Sequence, residues 1–248
     1  MRGVLAHRPI LETRFEFRDF LKVFALAILL YLTFGGLLFL MPGADVFLVN
    51  LHPSLIFLTT YLIQFVVLFF PLWVFVIGKY TATLKDFGLV KVDKKKMLKT
   101  VGLSYLIYLG VSLLIQAILL ALNVELPGYA TQESYLPFFG TDALGIIVAL
   151  IVVGFIAPFI EEILFRGFIF RVFIKTWPYW MGNILSAGLF ALIHLQFQTF
   201  IPLFILGLLL NYTYQKTGSI WTSIAFHSMN NLLAFAVQVY ISYNGTMF

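Results

Sequence analysis

Two neighbouring carboxylates in an apolar setting are the first feature of this chain that suggests chemistry. The stretch Ala157-Pro158-Phe159-Ile160-Glu161-Glu162-Ile163-Leu164-Phe165-Arg166 places Glu161 and Glu162 inside a run long enough to cross a membrane. Facing lipid unpaired, each acid would cost several kcal/mol, so such groups turn toward a bundle interior or a wet cavity and mark function by default. A structural ion pair near the headgroups, with Arg166 snorkelling, accounts for one of the two acids but not for both. On a helix Glu162 and Arg166 stand four residues apart on one face and can pair. Glu161 is rotated by about 100° and lacks that cation. A desolvated carboxylate of this kind is a candidate general base, with Glu162 as its support.

A partner for Glu161 follows from counting. The span that carries it is predicted to bend near Pro158 and to stop at Trp177-Pro178, because proline disfavours helix in the residue before it. Glu161 lies 16 residues before Trp177, and His194 lies 16 residues after Pro178. Equal distances from the turn of an antiparallel hairpin mean equal depth, which sets an imidazole opposite the carboxylate. His194 closes Phe190-Ala191-Leu192-Ile193-His194; alone, a histidine there is more often a packing residue. A second one opens His227-Ser228-Met229-Asn230-Asn231. His227 and Asn231 are four apart and face one way, either as interhelical hydrogen-bonding glue or as donors to a developing oxyanion. His7 and His52 fall in flanking segments and need no special role.

The elements that must position these groups are membrane helices. Of the 248 residues, 61% are hydrophobic and only 11% charged, against about 25% charged in ordinary soluble domains. No single soluble core could hide so much apolar surface, so lipid is the solvent. The absence of cysteine excludes disulfides, thiolate metal sites and a cysteine nucleophile. The net charge of +5 does not point to nucleic acid, since the cations flank apolar runs as topogenic signals do. Apolar spans are predicted at 20–41, 54–78, 100–122, 143–165 or beyond, 181–197, 199–215 and 220–241. The first has no small-residue cleavage pattern behind it and reads as a retained helix.

Charges orient the bundle. Residues 1–19 mix Arg2, Arg8, Arg14 and Arg18 with Glu12, Glu16 and Asp19, as expected of an amphipathic cytosolic surface helix. The 79–99 loop holds Lys79, Lys85, Lys91, Lys94, Lys95, Lys96 and Lys99, while 42–53 and 123–142 hold no Lys or Arg but carry Asp45, Glu125, Glu133 and Asp142. The positive-inside rule puts the N-terminus and the 79–99 loop in the cytosol, with Arg171, Lys175 and Lys216 on the same side. The expected fold is all-α: a polytopic transmembrane bundle of about 7–8 helices with its site in a cytosol-facing intramembrane cavity. No repeat or linker interrupts it. Its segments are 1–19, then 20–139, then a helical bundle over 140–243.

Intramembrane hydrolysis has few physical solutions. No Gly-x-Ser-Gly occurs, every Asp lies in a loop or flank, and no His-Glu-x-x-His zinc motif is present. There remain a carboxylate to deprotonate water, a histidine to share the proton and a His/Asn pair for the oxyanion, or a His₂Glu zinc site from Glu161, His194 and His227. Buried Glu and His also mark ion paths in carriers, although no internal repeat of the carrier kind is visible.

Glu161-Glu162-x-x-x-Arg166, Phe190-x-x-x-His194 and His227-x-x-x-Asn231 resemble the three ordered motifs of the CPBP family, the CAAX-protease and bacteriocin-processing (Abi) family that includes the type II CAAX prenyl endopeptidases. The resemblance covers roughly 140–243, and Thr83-Leu84-Lys85-Asp86-Phe87-Gly88-Leu89 is similar to an amphipathic stretch upstream in prokaryotic members. It implies that Glu161 activates water with His194 as partner, that His227 and Asn231 form the oxyanion site, that Glu162 and Arg166 support, and that Phe190 packs beside His194. It implies a peptide or membrane-protein substrate, and a multi-pass protein of a bacterial plasma membrane. It also implies no cofactor, zinc being the alternative, because the family was long described as metalloproteases. A non-catalytic bacteriocin-immunity or scaffold protein is the competing expectation.

Overall fold

The computed structural model describes residues 12–40, 51–129, 136–140 and 142–244. Among them every regular element is helical: α1 (Phe17–Leu40), α2 (Pro53–Tyr80), α3 (Lys94–Leu122), the short α4 (Leu136–Phe139), α5 (Ala143–Thr176), α6 (Tyr179–Leu192), α7 (Phe200–Thr217) and α8 (Ile220–Asn244). Six of these are long and apolar enough to cross a membrane, and α6 is a shorter apolar helix. The pattern of exposure is that of a lipid-solvated protein. Leu106, Leu113 and Leu120 are 68%, 63% and 82% exposed, whereas the charged Glu162 and Arg166 are fully buried. The chain is a multi-span helical membrane protein.

Part of the N-terminal expectation falls on undescribed residues. Residues 1–11, with Arg2, His7 and Arg8, lie outside the described residues, as do Asp45 and Glu133. Residues 12–16 are not helical. Their backbone carbonyls are taken instead by α5: Arg171 Nη2 donates to Glu12 O, and Lys175 Nζ to Thr13 O and Phe15 O at 3.0 Å each. Helix begins only at Phe17, directly with the first span.

The chain forms two compact units, one of residues 12–16, 83–129 and 161–230, the other of 17–82, 136–160 and 231–244 among the described residues. The second has a core of Phe139, Ala149 and Phe235, with the Phe57 ring 3.8 Å from that of Phe139. Its α2 and α5 start side by side in hydrogen bonding: His52 caps α2 by accepting from Ser54 N, Asp142 caps α5 by accepting from Gly145 N, and the two side chains meet at 3.2 Å. His52, given no role by the sequence, is a helix cap.

The first unit carries Glu161, Glu162, His194 and His227. Helix α5 does not run as a regular α-helix. A proline cannot donate to the carbonyl four residues back, and the helix widens into a π turn over Val152–Ile156, just before Pro158. A second π stretch, Ile163–Ile169, begins directly after Glu162, and each of its residues is buried. π turns are rare and recur at functional sites. The predicted turn is where the sequence put it: α5 ends at Thr176, Trp177 is extended, and α6 starts at Tyr179.

Small residues let the helices approach. A Cβ on Gly182 would lie 2.8 Å from Ile174 N and Phe173 C, both backbone atoms that cannot swing aside. Gly182→Ala is therefore expected to force α5 and α6 apart and cost about 1–3 kcal/mol, read as a lowered unfolding midpoint in detergent. An unchanged midpoint would mean the hairpin is not packed this closely.

The upstream stretch Thr83–Leu89 belongs to the same unit. Thr83 and Asp86 form a reciprocal cap on the 3₁₀ turn Leu84–Phe87, and the Thr83 N–H holds the Asp86 carboxyl below the usual carboxylate range. Phe87 then packs on Gly167, where a Cβ would lie 2.8 Å from its carbonyl oxygen, while Gly88 O accepts from Ile220 N at 3.0 Å. The amphipathic stretch thus braces the π segment of α5 and the start of α8.

Candidate active site

Helix α5 presents Glu161 and Glu162 in consecutive positions with opposite fates. Glu162 is sealed: its side chain is 0% exposed, and its Oε1 accepts from Arg166 Nη1 at 2.9 Å and lies 2.9 Å from His227 Nδ1. Glu161 is 23% exposed, and its Oε2 stands 4.0 Å from His194 Nε2 and 3.9 Å from His227 Nε2. The structure brings Glu161, Glu162, Arg166, Phe190, His194 and His227 together within one unit.

His194 arrives by a different route from the one expected. The apolar run suggested a helix over 181–197, but α6 ends at Leu192, and Leu195 takes a left-handed backbone with φ 54°. His194 lies in the turn just past the helix end. Its Nδ1 is 2.7 Å from Phe190 O, one of the carbonyls that the end of a helix leaves without an N–H. Nothing in the local sequence announces this stop, since neither Gly nor Pro stands there.

Hydrogen-bond partners fix the tautomers. Phe190 O can only accept, so His194 Nδ1 carries a proton. Glu162, paired with Arg166, accepts as a carboxylate, so His227 Nδ1 carries one too. In the neutral rings both Nε2 atoms are then lone pairs, and both face Glu161 Oε2. Glu161 Oε2 and either Nε2, acceptors about 4 Å apart, cannot bond to each other, but a water between them can donate to both at ordinary lengths.

Phe190 packs at the centre. Its ring lies edge-on to His194 at 4.8 Å and to His227 at 5.8 Å, and the Arg166 guanidinium sits 4.6 Å from its centroid. Arg166 is buried completely, with Nε donating to Asn211 Oδ1 at 3.2 Å and Nη2 to Gly207 O at 3.0 Å. Sequence reasoning missed Asn211. The signal was available, because a lone Asn in the apolar run of α7 is itself costly in a membrane and needs a partner.

Asn231 lies one turn beyond His227 on α8 and belongs to the other unit, where its Nδ2 donates to Val153 O at 3.0 Å. For zinc, Glu161, His194 and His227 would be the ligands. Among the described residues no three His, Cys, Asp or Glu side chains are grouped closely enough to hold a metal ion.

The chain has relatives. Residues 143–233, which include all of these positions, match the family model of the Rce1-like type II CAAX prenyl endopeptidases. An Escherichia coli protein named "Uncharacterized 24.3 kDa protein" is 31% identical over 132 residues, 51% of this chain and 57% of that one. "Putative membrane peptidase YdiL" of Bacillus subtilis is 26% identical over 90 residues, 36% of this chain and 37% of that one. The matches thus span about half or less of these relatives' own length. No solved structure matches the chain. With its adjacent acids, its two histidines and its six apolar spans, the chain is a multi-span membrane protein whose residues 143–233 match the Rce1-like type II CAAX prenyl endopeptidase family model.

Proposed function

We propose that this protein is an intramembrane endopeptidase that hydrolyses a peptide bond with water activated by Glu161. The observation that carries the proposal is the convergence of Glu161 Oε2 with His194 Nε2 and His227 Nε2 at 4.0 and 3.9 Å, at a carboxylate that is partly exposed, beside one that is sealed. Glu161 takes a proton from water, and the oxygen bonds to the scissile carbonyl carbon. The C–N bond breaks as His194 Nε2 relays that proton to the departing amine. The oxyanion falls to His227 Nε2–H. For His227 this requires the imidazolium form, with Nδ1–H kept on Glu162.

The substrate is a membrane-associated or lipidated peptide, by analogy with the named activity of the matched family. Lys91, Lys94, Lys95, Lys96 and Lys99 precede or open α3, and Arg171 and Lys175 end α5, which supports a site approached from the cytosolic face of a cell membrane. The test is cleavage of a fluorescence-quenched peptide bearing a prenylated cysteine by purified protein in detergent, with product masses. Specific cleavage that survives exhaustive chelation is the expected result. An intact peptide, with proton or solute flux in proteoliposomes, would favour a carrier. An intact peptide with no flux would favour a scaffold or immunity protein, and cleavage lost on chelation and regained with zinc would replace the water-activating role by a metal.

A further inference from the structure

Asn211 is bonded on both faces of its amide, and only one orientation satisfies both. Arg166 Nε is donor-only, so the atom facing it at 3.2 Å must be Oδ1. Nδ2 then points at Asn183, whose Oδ1 and backbone O accept at 2.7 and 3.3 Å. A flipped amide would set donor against donor at Arg166 and acceptor against two acceptors at Asn183. Asn183 on α6 therefore fixes the rotation of Asn211 on α7.

Asn211 in turn fixes a plane. The guanidinium is a rigid planar fork, and two anchors on one side determine where its remaining nitrogen points. Gly207 O and Asn211 Oδ1, four residues apart on α7, hold Nη2 and Nε. Nη1 is thereby aimed at Glu162 Oε1, and that same oxygen receives His227 Nδ1–H. Glu162 Oε2 has no hydrogen-bond partner among the described residues, so the position of this carboxylate depends on what reaches Oε1.

We infer that Asn211, locked by Asn183, is a positioning residue that acts through Arg166 and Glu162 to hold His227 with its proton on Nδ1 and its Nε2 toward Glu161. This rests on the reading of Glu161 and His227 as reacting groups. The substitution Asn211→Ala removes the Nε acceptor and lets the fork turn, whereas Asn183→Ala leaves Arg166 paired and removes only the shorter of the two bonds that hold the Asn211 amide. Asn183 is partly exposed, so its variant keeps the fold if Asn211→Ala does not.

The test uses two readouts on the full-length protein in micelles. Long-range proton–nitrogen correlation on ¹⁵N-histidine-labelled protein, with His227 assigned by its loss in His227→Gln and the pH set so that the rings are neutral, reports which ring nitrogen bears the proton. Cleavage of the quenched prenylated peptide gives kcat and KM. The expected result is a single Nδ1–H tautomer in the wild type and a mixture in Asn211→Ala. The kcat of that variant is expected to fall about tenfold to a hundredfold with KM within twofold, and Asn183→Ala changes in the same direction by less. An unchanged His227 tautomer in both variants overturns the inference, even if kcat falls. Should the wild type cleave nothing, the proposed function fails, and the tautomer readout still decides the role of Asn211.

Discussion

Arg166→Ala is expected to lose about 3–5 kcal/mol of stability, because it leaves a sealed carboxylate without its guanidinium partner. The guanidinium is fully buried and tied at all three nitrogens, to Glu162, Asn211 and Gly207. Water cannot take its place, since Glu162 is 0% exposed. Removing both charges together tells desolvation from packing. The double variant Glu162→Gln with Arg166→Met should recover most of the lost stability, since no unpaired charge is left inside. It should still fail to cleave, because His227 Nδ1 has lost its charged acceptor. Thermal unfolding in detergent, with size-exclusion profiles, checks both. A wild-type midpoint for Arg166→Ala would mean that solvent reaches Glu162 after all.

The second large effect is on rate alone. His194→Asn is expected to lower kcat by about 10²–10⁴-fold while the unfolding midpoint stays near that of the wild type. An Asn amide can still donate to Phe190 O, as His194 Nδ1 does at 2.7 Å, so the end of α6 keeps its partner. What disappears is the Nε2 lone pair facing Glu161 across 4.0 Å. Single-turnover cleavage of the prenylated peptide measures it. Activity within a few-fold of the wild type would place the proton relay elsewhere.

The parts of this architecture that were legible in the sequence are those governed by hydrophobic length and by local geometry. Charge-poor runs of twenty residues announce membrane helices whatever their neighbours, and Trp177-Pro178 announces a turn because of what proline forbids. The Glu162–Arg166 spacing is readable because four residues on a helix fix a shared face. The helix end at Leu192 was not readable. It depends on a left-handed Leu195 and on a histidine side chain serving a carbonyl, neither of which has a composition signature. Counting from the turn still found His194, because a side chain only two residues past the helix end at Leu192 moves little in depth. The π turns of α5 were only half visible: Pro158 signalled a bend, but the stretch Ile163–Ile169 contains no proline, and its widening accompanies close packing of Phe87 on Gly167. Asn211 and Asn183 lie on different helices and reach the acid pair only through tertiary contact.

Adjacent carboxylates with opposite surroundings make the central claim sharply testable. Glu161 has no bond shorter than 3.9 Å among its ion-pair contacts and is partly exposed, so its loss should leave the fold intact, unlike loss of the charge at Arg166. The decisive measurement is kcat for Glu161→Gln on the prenylated peptide, beside its unfolding midpoint. A fall of about 10²–10⁴-fold or more at an unchanged midpoint is predicted. Cleavage at the wild-type rate by a folded Glu161→Gln protein would contradict the assignment of Glu161 as the base.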